Sequence, residues 1–286
     1  MTTVPLALAN WNGDIMPLAD VRVSVLDRGF LFGDAIYEVV RVYHGRPFLF
    51  QEHLARLDRN LTKMQLRSNA ERLGARALTT LEASGFQEAV IYLQVTRGCA
   101  PRTHHFPHPE VPVNELIWVQ PYQDRYAEKR RVGGSVIVIE DLRWKRCDIK
   151  SVNLLANCFG AEEAHSAGCD EALLMQSDGT LLEGTHSSLF GVRQQAVLTA
   201  PLGNHLLPGI TRQLLMRLAQ QAGIPVEERL LRRADLSEID ELFLTGTTTE
   251  IMPVVRVDGQ DIGAGRPGPI TQRLQQAYRD VIAALA

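Results

Sequence analysis

The 286-residue chain predicts an α+β fold in two blocks, and three observations predict it. Hydrophobic residues make up 45% and charged residues 22%, enough apolar material for a real core and too little charge for a disordered or coiled-coil chain. In the first block, residues 1–120, helices follow β runs with no room for repeated parallel crossovers, which predicts an α+β layer. In the second, residues 134–286, many short β runs with few long crossovers predict a barrel-like or mixed sheet. Residues 121–133 read as the linker between them.

The elements follow in order. Val21, Val23 and Val25 alternate as in a strand, and a β run from Ile36 to Tyr43 meets another from Pro47 to Phe50 across the turn His44-Gly45-Arg46. Leu54, Leu57, Leu61 and Met64 recur at three and four and mark one face of a helix. A second helix near 69–83 leads to a strand over 89–96, a proline-rich loop over 98–112 and a strand over 115–119. The second block opens with a strand over 135–140, then a polar loop and a helix from about Val152 to Ala167. Short strands follow over 171–175, 180–183, 188–192 and 196–199, then a helix over 211–222. Strands over 226–230 and 241–245, a hairpin at Asp258-Gly259 and a helix from about 270 to 285 complete the chain.

A net charge of −3 disfavours a nucleic-acid partner, which would need basic phosphate contacts. Met1 to Asn10 lacks a basic leader and its apolar run is broken by Pro5, so no signal peptide is expected. No uncharged apolar stretch nears the roughly 20 residues a membrane helix needs. Cys99, Cys147, Cys158 and Cys169 lack CxxC spacing and read as thiols of a reducing compartment, so a cytoplasmic protein is expected. There is no internal repeat and no GxGxxG or Walker loop.

Only four of the 30 basic residues are lysines: Lys63, Lys129, Lys145 and Lys150. Lys150 stands in Arg146-Cys147-Asp148-Ile149-Lys150-Ser151, before a helix. A desolvated amine can lose its proton and form a Schiff base, which a guanidinium cannot; a plain pairing with Asp148 is the other reading. Pro208-Gly209-Ile210-Thr211 precedes a helix whose first amides could grip a phosphate, or it is an ordinary N-cap. The hydroxyls of Thr245-Gly246-Thr247-Thr248-Thr249 offer a second phosphate grip, or a strand-end turn. Glu183, at a strand end before Gly184, could keep a ring nitrogen protonated, or be an exposed turn residue. Arg102 and His104, in a loop dense in cations, could clamp a carboxylate, or the loop is simply solvated. His104, His105 and His108 have neither helical spacing nor a completing thiol or acid pair, so no metal site is expected.

In register along nearly the whole chain, these segments resemble the class IV (fold-type IV) pyridoxal-phosphate aminotransferases, and most nearly their D-amino-acid transaminase branch. The resemblance is carried by Asp27-Arg28-Gly29-Phe30 through Gly33-Asp34-Ala35-Ile36-Tyr37-Glu38-Val39-Val40, and by Gln51-Glu52-His53-Leu54-Ala55-Arg56-Leu57. Val95-Thr96-Arg97-Gly98 with Pro101-Arg102-Thr103-His104, and Ile149-Lys150-Ser151-Val152-Asn153-Leu154-Leu155, add to it. Glu183-Gly184-Thr185, Gly209-Ile210-Thr211-Arg212 and Thr245 through Glu250 complete it.

The resemblance implies a smaller N-terminal α/β sandwich and a larger C-terminal barrel-like domain carrying Lys150 as the Schiff-base lysine. It implies pyridoxal 5'-phosphate as cofactor, Glu183 on the pyridine nitrogen, and Arg56, the Ile210 amide, Thr211 and Thr247 on the phosphate. Tyr37, Arg102 and His104 would bind the substrate α-carboxylate, the last two reaching in from the other subunit of a homodimer. The reaction implied is ping-pong transfer of the amino group of a D-amino acid, such as D-alanine, to a 2-oxo acid, such as 2-oxoglutarate. The family usually carries Asn five residues after the glutamate; here that position is Ser188. Two rivals share the resemblance. A branched-chain L-amino-acid aminotransferase usually has Tyr-x-Arg where this chain reads Tyr92-Leu93-Gln94, and an aminodeoxychorismate lyase would not need the carboxylate clamp. A non-catalytic binding protein of the same fold is the reading from outside enzymology, and retention of both Lys150 and Glu183 opposes it.

Overall fold

The computed structural model describes residues 7–285, which divide by their contacts into two compact units. The first holds the described residues as far as Gln123 together with Ile149–Asn153 and Leu285; the second holds Asp124–Asp148 and Leu154–Ala284. Six of the ten residues read above for a leader lie outside the described segment.

In the first unit the chain runs β1 (Leu8–Trp11), β2 (Asp14–Pro17), α1 (Arg28–Phe32), β3 (Ala35–Tyr43), β4 (Arg46–Pro47), α2 (Phe50–Met64), α3 (Ala70–Ser84), β5 (Ala89–Thr96) and β6 (Asn114–Pro121). The sheet order is β2-β1-β6-β5-β3-β4. One face of it, with Ile36, Val40, Ile91, Leu93, Ile117 and Val119, packs on Leu57 and Leu61 of α2 and on Leu73, Ala77 and Leu81 of α3. Those helix positions recur every four residues because a single stripe of each helix meets the sheet. Asn69 caps α3, its side-chain oxygen accepting from the Arg72 amide at 2.7 Å.

Two expectations are corrected here. Val21 to Val25 form no strand; Val23 and Val25 are 47% and 69% exposed, and no neighbouring strand offers them a ladder. Pro47 to Phe50 form no full strand: only Pro47 belongs to the two-residue β4 and Phe50 already starts α2, because Leu49 turns left-handed (φ 52°) and opens the helix.

The second unit runs α4 (Ala127–Val132), β7 (Gly134–Glu140), α5 (Leu155–Ser166), β8 (Glu171–Met175), β9 (Thr180–Gly184), β10 (Ser188–Arg193), β11 (Ala196–Thr199), α6 (Ile210–Gln221), β12 (Val226–Glu228), β13 (Leu231–Arg232), β14 (Glu241–Gly246), β15 (Glu250–Val257), β16 (Gln260–Asp261) and α7 (Pro269–Ala283). Its mixed sheet has the order β12-β11-β10-β14-β15-β7-β8-β9-β13, with β16 on β15. Strands β9 and β10 also pair, so the run from β10 through β14, β15, β7 and β8 to β9 closes on itself. That closure rests on one residue pair, Ser188 opposite Glu183. Leu173, Leu181, Leu189, Leu242, Leu244, Met252 and Val254 fill the core.

The helix expected from Val152 begins at Leu155 instead, because Ser151 is spent in a bridge to Ile36 and the Asn153 side chain donates through Nδ2 to the Gly33 carbonyl at 3.1 Å. The strand expected over 226–230 breaks after Glu228 and pairing resumes at Leu231 on another partner, β9. Residues 127–132, inside the stretch read as linker, are helical and cluster with the second unit.

Candidate active site

Within the first unit, Ile149–Asn153 lies along the start of β3 as a short added edge. The Tyr37 amide donates to the Lys150 carbonyl at 2.9 Å and the Val152 amide to the Ala35 carbonyl at 3.2 Å. This pins a residue that periodicity alone leaves in a loop. The half-buried Lys150 side chain turns its Nζ over the Tyr37 ring, 4.2 Å from the centroid. Tyr37 stacks on Tyr92, and Tyr92 on Trp118, at centroid distances of 5.5 and 3.8 Å. Lys150 therefore stands above a fixed aromatic floor, while the Asp148 carboxylate takes Arg146 at 2.9 Å.

One residue along β3, the side chain points to the opposite face, so Glu38 is buried against α2. It accepts from Arg56 Nε at 2.6 Å and Nη2 at 2.8 Å, and shares a proton contact with His53 Nδ1 at 2.8 Å. Burial alone would raise the Glu38 carboxyl. The charge and hydrogen bonds of Arg56 and His53 outweigh it and hold the group far below the carboxylate range. Burial also drives His53 below its ordinary value, with the charges of Arg56 and Lys150 acting the same way against the pull of Glu38. Neither Glu38 nor His53 was singled out by sequence reasoning. An acid inside an apolar strand, and His53 and Arg56 three apart on the apolar stripe of a helix, were the available signals.

Arg102 and His104 are exposed and flank one ring, that of Phe32: the guanidinium lies 5.4 Å and the imidazole 5.7 Å from its centroid. Their loop is tethered to α1, where Arg28 Nη1 donates to the Thr103 carbonyl at 2.6 Å while Arg28 Nε holds the buried Asp34.

Within the second unit, Glu183 stands next to last in β9 and is 5% exposed, not a solvated turn residue. Arg143 Nη1 donates to its Oε1 and the Leu207 amide to its Oε2, the latter at 3.3 Å. Burial lifts the Glu183 carboxyl to about 7 against the opposing charge of Arg143. Arg143 also forks onto Asp141, with Nε–Oδ1 and Nη2–Oδ2 both 2.9 Å. Arg143 and Asp141 lie in the polar loop after β7, where the sequence carried no signal for them.

Barrel closure links this carboxylate to the two candidate anion grips. Ser188 pairs with Glu183 on one side and with Thr245 on the other. A Cβ on Gly209 would meet Ser188 Oγ at 2.7 Å, so the start of α6 closes directly onto that strand. No side chain caps α6, and its first amides, Ile210 and Thr211, have no helical partner. The Thr245 hydroxyl is buried without a hydrogen bond, and half-buried Thr247 stands in the following turn. Uncapped amides, a glycine admitting close approach and an orphaned hydroxyl fit a phosphate group.

Among the described residues no group of three His, Cys, Asp or Glu is placed to hold a metal ion, and no helix is long and apolar enough to cross a membrane. A family model described as amino-transferase class IV matches residues 35–257. A D-alanine aminotransferase from Bacillus licheniformis is 37% identical over 274 residues, covering 95% of this chain and 96% of that protein. The branched-chain amino acid aminotransferase of Escherichia coli matches in structure with a TM-score of 0.89 at 27% identity, over 96% of this chain and 94% of that one. A branched-chain amino acid aminotransferase from T.th., solved with pyridoxamine 5'-phosphate, gives 0.88 at 26% identity, over 98% and 95%.

Proposed function

The chain belongs to the class IV aminotransferases, and from that premise we propose that it moves the amino group of a D-amino acid, such as D-alanine, to a 2-oxo acid, such as 2-oxoglutarate, with pyridoxal 5'-phosphate as cofactor. The observation that carries the reading is the Lys150 amine, held over the Tyr37 ring by an edge segment bonded to β3. The choice of the D-series rests on near-full-length identity with the D-alanine enzymes and on Gln94 standing where the branched-chain enzymes usually have arginine.

Pyridoxal phosphate, when bound, supplies an electron sink for the pair released as the donor loses its α-proton. Lys150 Nζ would bind the cofactor and would serve as the base that takes the proton from the donor α-carbon and gives it back. Glu183 pairs with the ring nitrogen. The Ile210 amide, Thr211 and Thr247 hold the phosphate, as does Arg56, its guanidinium oriented by Glu38. Tyr37, with Arg102 and His104 of a neighbouring subunit, takes the α-carboxylate by charge-assisted bonds. The working unit is a cytoplasmic homodimer. The first 2-oxo acid leaves before the second enters.

The visible spectrum of the purified protein tests this, recorded before and after D-alanine and, separately, L-leucine, with no oxo acid present. Bleaching of the cofactor band by D-alanine alone supports the proposal. Bleaching by L-leucine alone moves the protein to the branched-chain reading. No band even after added pyridoxal phosphate refutes the role of Lys150, as would near-wild-type turnover in Lys150→Ala.

A further inference from the structure

Arg143 belongs to none of the roles above, yet its guanidinium is buried and held by several partners. Its side chain is 7% exposed, that of Glu183 7% and that of Asp141 10%. The guanidinium gives Nε and Nη2 to Asp141, Nη1 to Glu183 and a second Nη2 contact to the His205 carbonyl at 3.3 Å. The Arg143 amide also donates to Asp141 Oδ1 at 3.0 Å. Its position is therefore fixed by Asp141, and the one remaining arm reaches Glu183.

The charges of this buried cluster do not balance. Two carboxylates share one guanidinium, leaving one surplus negative charge in a place where an uncompensated charge is costly. A protein can remove that surplus by protonating a carboxylate or by receiving a cation. Glu183 is the member with spare capacity, since Oε2 takes only the weak Leu207 contact at 3.3 Å and keeps a lone pair. Asp141, by contrast, has both oxygens in a bidentate fork with Arg143.

We infer that Arg143, locked by Asp141, is a positioning residue that keeps Glu183 a carboxylate and aims it at a cationic ring N–H, so that the protonated cofactor ring supplies the missing positive charge of a four-member ionic set. This rests on the reading of Glu183 as the partner of the ring nitrogen. Without Arg143, burial wins and Glu183 takes the proton. A neutral acid can then hydrogen-bond an unprotonated ring but cannot stabilise a pyridinium. Burial lifts this carboxyl to about 7 even against the lowering by Arg143, so losing that one charge tips the balance to the protonated acid.

The test uses holoprotein reconstituted with pyridoxal phosphate carrying nitrogen-15 in the ring, and reads the ring-nitrogen NMR shift, which separates protonated from unprotonated nitrogen independently of turnover. The affinity of each apoprotein for pyridoxal phosphate is measured beside it. Wild type gives the protonated shift. Arg143→Met gives the unprotonated shift and weakens cofactor affinity about 10- to 100-fold, the size of one charge-assisted hydrogen bond. Asp141→Asn is isosteric and keeps the fold even where Arg143→Met does not; it releases the fork and moves the shift the same way, by less. A protonated ring with wild-type affinity in both variants, beside loss of the protonated shift in Glu183→Gln, overturns the role of Arg143 and leaves that of Glu183 standing. A protonated ring in Glu183→Gln overturns the reading of Glu183 itself.

Discussion

Gly184, directly after Glu183, occupies a place where a single methyl group meets an immovable carboxylate. A Cβ built there would lie 2.2 Å from Glu171 Oε1, although ordinary contact begins at 3.4 Å. Glu171 is 2% exposed and cannot swing aside, because the same oxygen accepts from Ser187 Oγ at 2.8 Å, the His186 amide at 3.0 Å and Thr185 Oγ1 at 3.3 Å. The φ of Gly184 is not positive, so alanine adds no backbone strain and the steric term stands alone. Overpacking a tight site costs about 1–3 kcal/mol, and an overlap this large against a fixed charge belongs at the upper end, about 3 kcal/mol. At about 2–4 °C per kcal/mol for a chain of this size class, Gly184→Ala should lower the melting temperature by about 6–12 °C. The shift of β9 should carry Glu183 with it and weaken cofactor affinity. Gly203→Ala is the control: an added Cβ there meets nothing within 4 Å, and the expected change is within about 0.5 kcal/mol. Thermal melting of the apoproteins by circular dichroism decides it. A Gly184→Ala protein melting within about 2 °C of wild type refutes the steric argument.

Arg102→Leu should raise KM for D-alanine about 10- to 100-fold by removing one charge-assisted clamp, with a smaller effect on kcat; an unchanged KM in steady-state assays discards the clamp. Glu38→Gln should cost about 3–5 kcal/mol at pH 7 by leaving Arg56 buried without its counter-charge, as read by urea unfolding. The folded Glu38 carboxyl lies below its ordinary 4.5, so its stabilisation is present above that pH and is lost as pH falls. The gap between wild type and variant should therefore narrow on acidification, and a constant gap contradicts the assignment. Burial raises the Cys147 thiol to about 11, so in a thiol titration of the native protein at pH 8 Cys147 should react more slowly than exposed Cys99.

Strand and helix identities were legible wherever one face alone is buried. The stripe Leu54, Leu57, Leu61 and Met64 marked α2, because it packs on a single layer. Val21, Val23 and Val25 misled for the complementary reason, since alternation promises a strand only where a neighbour supplies hydrogen bonds. The β1–β2 hairpin went unread, although Asn12-Gly13 between short apolar runs is its turn signal, with positive φ at both residues.

Of the candidate site, the scarcity of lysine drew attention to Lys150 and strand-end chemistry to Glu183. What surrounds them was not legible. The Glu38–His53–Arg56 set joins residues 18 positions apart through the register of β3 against α2, and Arg143 reaches Glu183 over 40 positions. Such long-range pairings are made by topology, which local patterning does not encode.

The closure of the barrel through Ser188 and Glu183 has a thermodynamic consequence for the apoprotein. A ring of strands fastened at one rung has its weakest seam there, and the seam includes the carboxylate proposed to hold the cofactor. Whatever grips Glu183 acts as a clasp, so ligand release and local breathing of the barrel draw on the same free energy. Amide exchange along β9 and β10 should then slow on loading with cofactor by more than in the distant hairpin of β15 and β16, and the heat resistance of the empty enzyme should be limited by that one rung.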